Sequence, residues 1–177
     1  QQSYATSYIK TAGTTITRAA ETCDNSKPSI NSTEGVIYAE LAALVATAPY
    51  SQYITISDGT YNNRASILFS NGATNKIRCF LRVGGASQVD VSDNVTDVTA
   101  YNKVAFLYKA NDFKVYINGS LVSSDTSGSV WSAGTIDTLS FSEINTNTGK
   151  LNARVKGVAI YNEALSESQL MQLTGVT

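Results

Sequence analysis

The chain has 177 residues, 42% of them hydrophobic and only 15% charged, with a net charge of −1, two cysteines and no histidine. The length suits one domain, residues 1–177, that buries about 70% of its unfolded surface, and the near-neutral charge leaves no basic face for nucleic acid. No apolar run reaches 18 residues, so no membrane insertion is expected. Without histidine the Ser–His and Cys–His nucleophile pairs and the commonest zinc ligand are gone.

Residues 1–13 read as a connection to a preceding domain. The chain opens at Gln1 without an initiator Met, which suggests processing or excision from something longer. From residue 35 onward the apolar residues alternate, as strands require. Gly35–Ala42 places Ile37, Ala39 and Leu41 on one face, with Tyr38 and Glu40 on the other. Tyr53–Ser57 turns Ile54 and Ile56 inward and leads into Asp58-Gly59. Arg64–Ser70 does the same with Ala65, Ile67 and Phe69, before the turn Ser70-Asn71-Gly72. Lys76–Val83 carries Ile77, Cys79, Leu81 and Val83 inward, with Arg78, Phe80 and Arg82 outward, and ends at Gly84-Gly85.

Asn102–Lys109 is apolar on both faces, as a central strand is. A turn at Ala110–Phe113 leads to the alternating Phe113, Val115 and Ile117. Asn118-Gly119 then signals a tight hairpin, because both central residues of a type I′ turn need positive φ. Ser120–Ser123 returns, completing a three-strand meander. Strands at 138–141 and 151–161 follow. Ser166-Glu167-Ser168-Gln169 is a capping box that opens one short helix. About ten or eleven strands at this spacing describe an antiparallel sandwich or jelly roll.

Three stretches carry a family resemblance: Val104–Tyr108, Phe113–Gly119 with its "VYING" hairpin, and Gly157–Ser166 ("GVAIYNEALS"). They resemble the concanavalin A-like lectin/glucanase superfamily, nearest its laminin-G-like and pentraxin-like branch. Ala5–Thr11, Thr15–Ala20 and Ile56–Thr60 with Asn62–Arg64 resemble segments of bacteriophage tail and virion proteins. The resemblance implies a concanavalin A-like β-sandwich that binds carbohydrate or serves structurally in a tail fibre or other virion protein. Its partners would be host glycan or other virion proteins, its assembly a homotrimer, and its place the virion or the extracellular space. A bacterial surface or secreted carbohydrate-binding module is the alternative.

An enzyme is not expected. A glycosidase needs paired carboxylates, and the Glu/Asp triplet of the glucanase branch is absent here. Glu40 lies in a long strand with no acidic residue two positions away. The candidate carbohydrate-binding residues are Arg64, Arg78, Phe80, Arg82 and Trp131. Guanidinium groups fork onto carboxylates or hydroxyls, and aromatic rings stack on sugars. The same alternation puts Arg64 outward beside the Arg78 strand, where the face is solvated or covered by a loop or partner. Trp131 suits either a sugar platform or a core edge. No cofactor is expected. Calcium has one candidate site, Asp90, Asp93 and Asp97 with Asn94, which lacks EF-hand spacing and reads more simply as turn residues. Cys79 falls on an apolar face and Cys23 near a loop, so the two are expected to stay reduced. The Asn-x-Ser/Thr sites at Asn31, Asn94 and Asn118 read as chance matches.

Overall fold

The computed structural model describes residues 28–144 and 149–175. Cys23, the connection at 1–13 and the phage-like segments before residue 21 lie outside them. Ten strands make two five-stranded antiparallel sheets. The first sheet contains β1 (Glu34–Ala43), β6 (Asn102–Lys109), β7 (Asp112–Ile117), β8 (Ser120–Asp125) and β10 (Ala153–Tyr161), ordered β10-β1-β6-β7-β8. The second contains β2 (Gln52–Ser57), β3 (Arg64–Phe69), β4 (Lys76–Val83), β5 (Ala86–Asn94) and β9 (Thr138–Ser140), ordered β5-β4-β3-β2-β9. Among the described residues a single helix, α1 (Glu167–Thr174), follows β10. This is the jelly-roll sandwich with one short C-terminal helix that the alternation predicts.

The inner faces meet in one core. Ile37, Phe106 and Val115 of the first sheet join Ile54, Ile67 and Leu81 of the second, each at most 2% exposed. Cys79 is among them, fully buried, and burial pushes its thiol up, so it is an inert hydrophobe. β6 occupies the middle of its sheet and is buried on both faces. Val104, Phe106 and Tyr108 point into the sandwich, and Ala105 and Leu107 point out beneath α1.

Helix α1 begins where the capping box puts it. Ser166 accepts from the Gln169 backbone N–H, and Gln169 Oε1 accepts from the Ser166 backbone N–H at 2.8 Å. Leu170, fully buried, seats the helix on Val36, Leu107 and Tyr116. The β7–β8 turn has φ of 50° at Asn118 and 82° at Gly119, as a type I′ turn requires. The turn is tied to the helix end: the Gly119 N–H donates to Thr174 Oγ1 at 3.2 Å, and Thr174 Oγ1 donates to the Leu170 carbonyl at 2.7 Å.

β4 ends at Gly84-Gly85 as expected, but β5, which follows, is not among the strands read from the pattern. The two glycines, at φ 57° and 84°, make a hairpin that sends the chain back along β4. Asp90, Asp93 and Asn94 are therefore strand residues, not turn residues.

Candidate carbohydrate-binding face

Alternation fixes which side chains leave the second sheet on its outer side. With Ile77, Cys79 and Leu81 inward, β4 must present Arg78, Phe80 and Arg82 outward. On β3, Arg64 stands opposite Arg82 and Ser66 opposite Phe80. On β5, Asp90 stands opposite Phe80. A shift in the β4–β5 register between Leu81 and Arg82 is a bulge, a device that re-aims side chains at sheet edges and sites. The outcome is a small pocket of about 60 Å³ lined by Tyr53, Arg64, Arg78, Phe80, Arg82, Ser87 and Asp90. Four of the five residues expected to bind carbohydrate are thus brought together.

Of the two environments the pattern leaves open, solvated or covered, the covered one holds for part of the face. Arg64 is on the outer face, as expected, but only 6% exposed. Its guanidinium lies 4.8 Å over the Phe80 ring and 4.9 Å over the Tyr61 ring. Arg64 Nη1 donates to Glu143 Oε1 at 3.1 Å, from the connection after β9. Arg64 Nε is buried with no hydrogen-bond partner among the described residues.

Phe80 is likewise outward in direction yet 5% exposed. Arg78 lies 5.4 Å over one side of the ring, and Tyr53 meets it edge-on at 6.4 Å. The ring therefore serves as a base for guanidinium groups, with little area left for a sugar to stack on.

Arg78 forks onto Asp90, Nε to Oδ1 at 2.7 Å and Nη2 to Oδ2 at 2.6 Å. Sequence reasoning placed no acidic partner beside Arg78 because none lies on its own strand; the partner is cross-strand. The hydrogen bonds from Arg78 hold the Asp90 carboxyl below the usual carboxylate range and in turn raise the guanidinium. Arg82 is half-buried, and no ion pair forms on its side chain among the described residues.

Trp131 is not part of this face. It is 3% exposed, packs edge-on against Tyr108 at 5.6 Å and donates its indole N–H to the Arg82 carbonyl at 2.8 Å. A ring so enclosed is no sugar platform; it anchors the backbone from which Arg82 projects.

The acidic run offers no calcium cage. Asp90 is taken up by Arg78, and Asp97 accepts from the backbone and hydroxyl of Thr99 at 2.7 Å. Among the described residues no three metal-ligating side chains of His, Cys, Asp or Glu converge. Glu40 pairs with Lys156 on β10 at 3.0 Å. Tyr53, Ser87, Asp90 and Glu143 are the site residues that sequence reasoning missed. For Ser87 and Asp90 a signal existed: Gly84-Gly85 is a hairpin dipeptide, followed by alternating Val89 and Val91.

A family model described as the concanavalin A-like lectin/glucanases superfamily (Laminin_G_3) matches residues 42–171. No curated protein sequence gives a significant match. Among solved structures, a leech intramolecular trans-sialidase complexed with 2,7-anhydro-Neu5Ac superimposes with a TM-score of 0.60 at 20% identity, covering 82% of this chain and 24% of that one. The chain thus spans about a quarter of that protein. The carbohydrate-binding module CBM40 of a Ruminococcus gnavus IT-sialidase, bound to α2,3-sialyllactose, gives a TM-score of 0.57 at 17% identity and coverage of 81% and 83%. The SAP-like pentraxin of Limulus polyphemus gives 0.57 at 13% identity, with 82% and 71% covered. At these identities the likeness is one of fold.

Proposed function

The chain belongs to the concanavalin A-like lectin/glucanase superfamily, and on that premise we propose that it is a non-catalytic carbohydrate-binding domain whose ligand site is the outer face of β3–β5. One observation carries this reading: three arginines from two adjacent strands converge on a single pocket with Tyr53 and Phe80. The two solved sialidase-related structures, captured with sugars, support it.

Among the described residues the one carboxylate lining the pocket, Asp90, is engaged by Arg78, and nearby Glu143 is engaged by Arg64. A glycosidase needs one carboxylic acid held protonated. The Arg78 fork does the reverse to Asp90, which supports a binding role over hydrolysis.

We further assign the domain to a bacteriophage virion or tail fibre protein. The support is the resemblance of its N-terminal segments to those of phage tail and virion proteins. In this reading the domain sits on the particle, is presented as a homotrimer, and touches host surface glycan or neighbouring virion proteins. In the same reading the domain has no nucleic-acid partner and does not insert into a membrane; no helix among the described residues is long and apolar enough to cross a bilayer. A second reading, a secreted bacterial carbohydrate-binding module, draws its support from the Ruminococcus gnavus sialidase module. The flanking sequence in the parent gene separates the two, a fibrous stalk for the first and a hydrolase domain for the second.

A glycan array probed with the 177-residue chain tests the common part. Binding to bacterial surface polysaccharides is expected. A chain that binds nothing on an array covering neutral and acidic host glycans would overturn the reading.

A further inference from the structure

Arg64 and Arg82 are directly opposite each other on neighbouring antiparallel strands and share the outer face. Like charges in that relation repel, because opposed side chains sit only about 5 Å apart at Cβ. Glu143 relieves Arg64 along one edge only, leaving its buried Nε without a partner among the described residues. Side chains from two strands and a later connection are thus spent on holding cations together without completing their hydrogen bonds.

Among the described residues the charges at the pocket do not balance. Three guanidinium groups line it, and their carboxylate partners are two, Asp90 in the lining and Glu143, which pairs with Arg64 from the connection after β9. Arg78 and Asp90 satisfy each other in a bidentate fork. The one positive charge in excess therefore belongs to the Arg64–Arg82 pair. Arg82 is the open member, its backbone fixed by the Trp131 indole and the neighbouring bulge.

Resting on the glycan-binding reading, we propose that this pocket receives one carboxylate of an acidic sugar, taken by Arg82 with the partly satisfied guanidinium of Arg64 behind it. A planar carboxylate suits guanidinium edges, which donate in parallel pairs. The pocket is small, about 60 Å³, and its lining includes Ser87 and Asp90 beside the three arginines. In this arrangement the acid group enters the pocket and the rest of the sugar lies on the outer face.

The test uses the full chain, ¹⁵N-labelled at arginine, with the Nε–H signals followed by NMR. Glucuronate and N-acetylneuraminate are titrated beside their carboxyl-reduced counterparts and beside inorganic sulfate. The acids should shift the Arg82 and Arg64 signals and leave the Arg78 fork unmoved. The reduced sugars should not. Arg82→Gln should weaken acid binding about tenfold or more, the scale of one charged hydrogen bond. Glu143→Gln, which leaves two positive charges in excess, should strengthen it several-fold. That gain cannot come from a damaged fold.

Equal response to acid and reduced sugars would overturn the carboxylate assignment and leave the glycan reading standing. So would silence toward both alongside neutral glycans bound on the array. Equal response to sulfate would reduce the site to a plain anion hole and overturn the sugar assignment. Silence toward all probes with an empty array would remove both readings together.

Discussion

The two sheets present similar inner faces to the common core, but their outer faces have opposite fates. The outer face of the first sheet is apolar where β1, β6 and β7 adjoin, and the chain's own last element closes it: Leu170 of α1 packs onto Val36, Leu107 and Tyr116. The outer face of the second sheet carries Arg64, Arg78 and Arg82, and no helix among the described residues covers it. On the proposed reading, one fold divides stability from recognition. Apolar surface is removed from water by local chain, which is favourable at about 25 cal/mol per Å². Charged surface is held in ion pairs that add little to stability but keep a fixed geometry.

If this division is right, the largest loss of stability should come from the closed face. Leu170→Ala deletes a fully buried side chain at the helix–sheet contact and should cost about 2–5 kcal/mol. Chemical denaturation measures it. A cost under about 1 kcal/mol would mean that α1 is a loosely held appendage. Gly119→Val tests the turn that ties β7 and β8 to the helix end. A β-branched residue at φ 82° should cost about 1–2 kcal/mol. An unchanged melting temperature would show that the β7–β8 turn adopts another type in solution.

On the open face the effects should be small and pH-dependent. Asp90 is held below the usual carboxylate range by its hydrogen bonds from Arg78. A carboxyl lowered on folding contributes stability above its unfolded value, near pH 4, and loses it as pH falls through the folded value. The pair is partly exposed, so solvent screening limits its worth to about 1 kcal/mol or less. Asp90→Asn should therefore be slightly less stable than the parent at pH 7, and the two should converge below about pH 4. A gap that persists into acid would place the Asp90 contribution elsewhere than in its charge.

How much of this was legible in the sequence depended on how local the cause was. The hairpin at Asn118-Gly119, the capping box at Ser166 and the inward faces of β1 to β4 follow from neighbours in the chain, and the sequence pattern predicts each of them. β5 escaped because it is an edge strand whose outward positions are polar and half-exposed, leaving Val89 and Val91 as a faint alternation. The direction of Arg64 and Phe80 was readable from the strand period, but their burial was not. It depends on Glu143, 79 residues away in sequence, and on rings from two other segments. The Arg78 partner escaped for the same reason as β5: Asp90 becomes its neighbour only once the Gly84-Gly85 hairpin forms. Trp131 was equally readable as a platform or a core ring, and only its contacts with Tyr108 and the Arg82 carbonyl decide for the core.

The central claim is that the arginine face of the second sheet recognises ligand and does not hold the assembly together. The double variant Arg78→Ala, Arg82→Ala tests it most directly, with light scattering for oligomeric state and a glycan- or cell-binding assay on the same sample. The account predicts an unchanged assembly that no longer binds; dissociation of the assembly, or binding that survives, would contradict it.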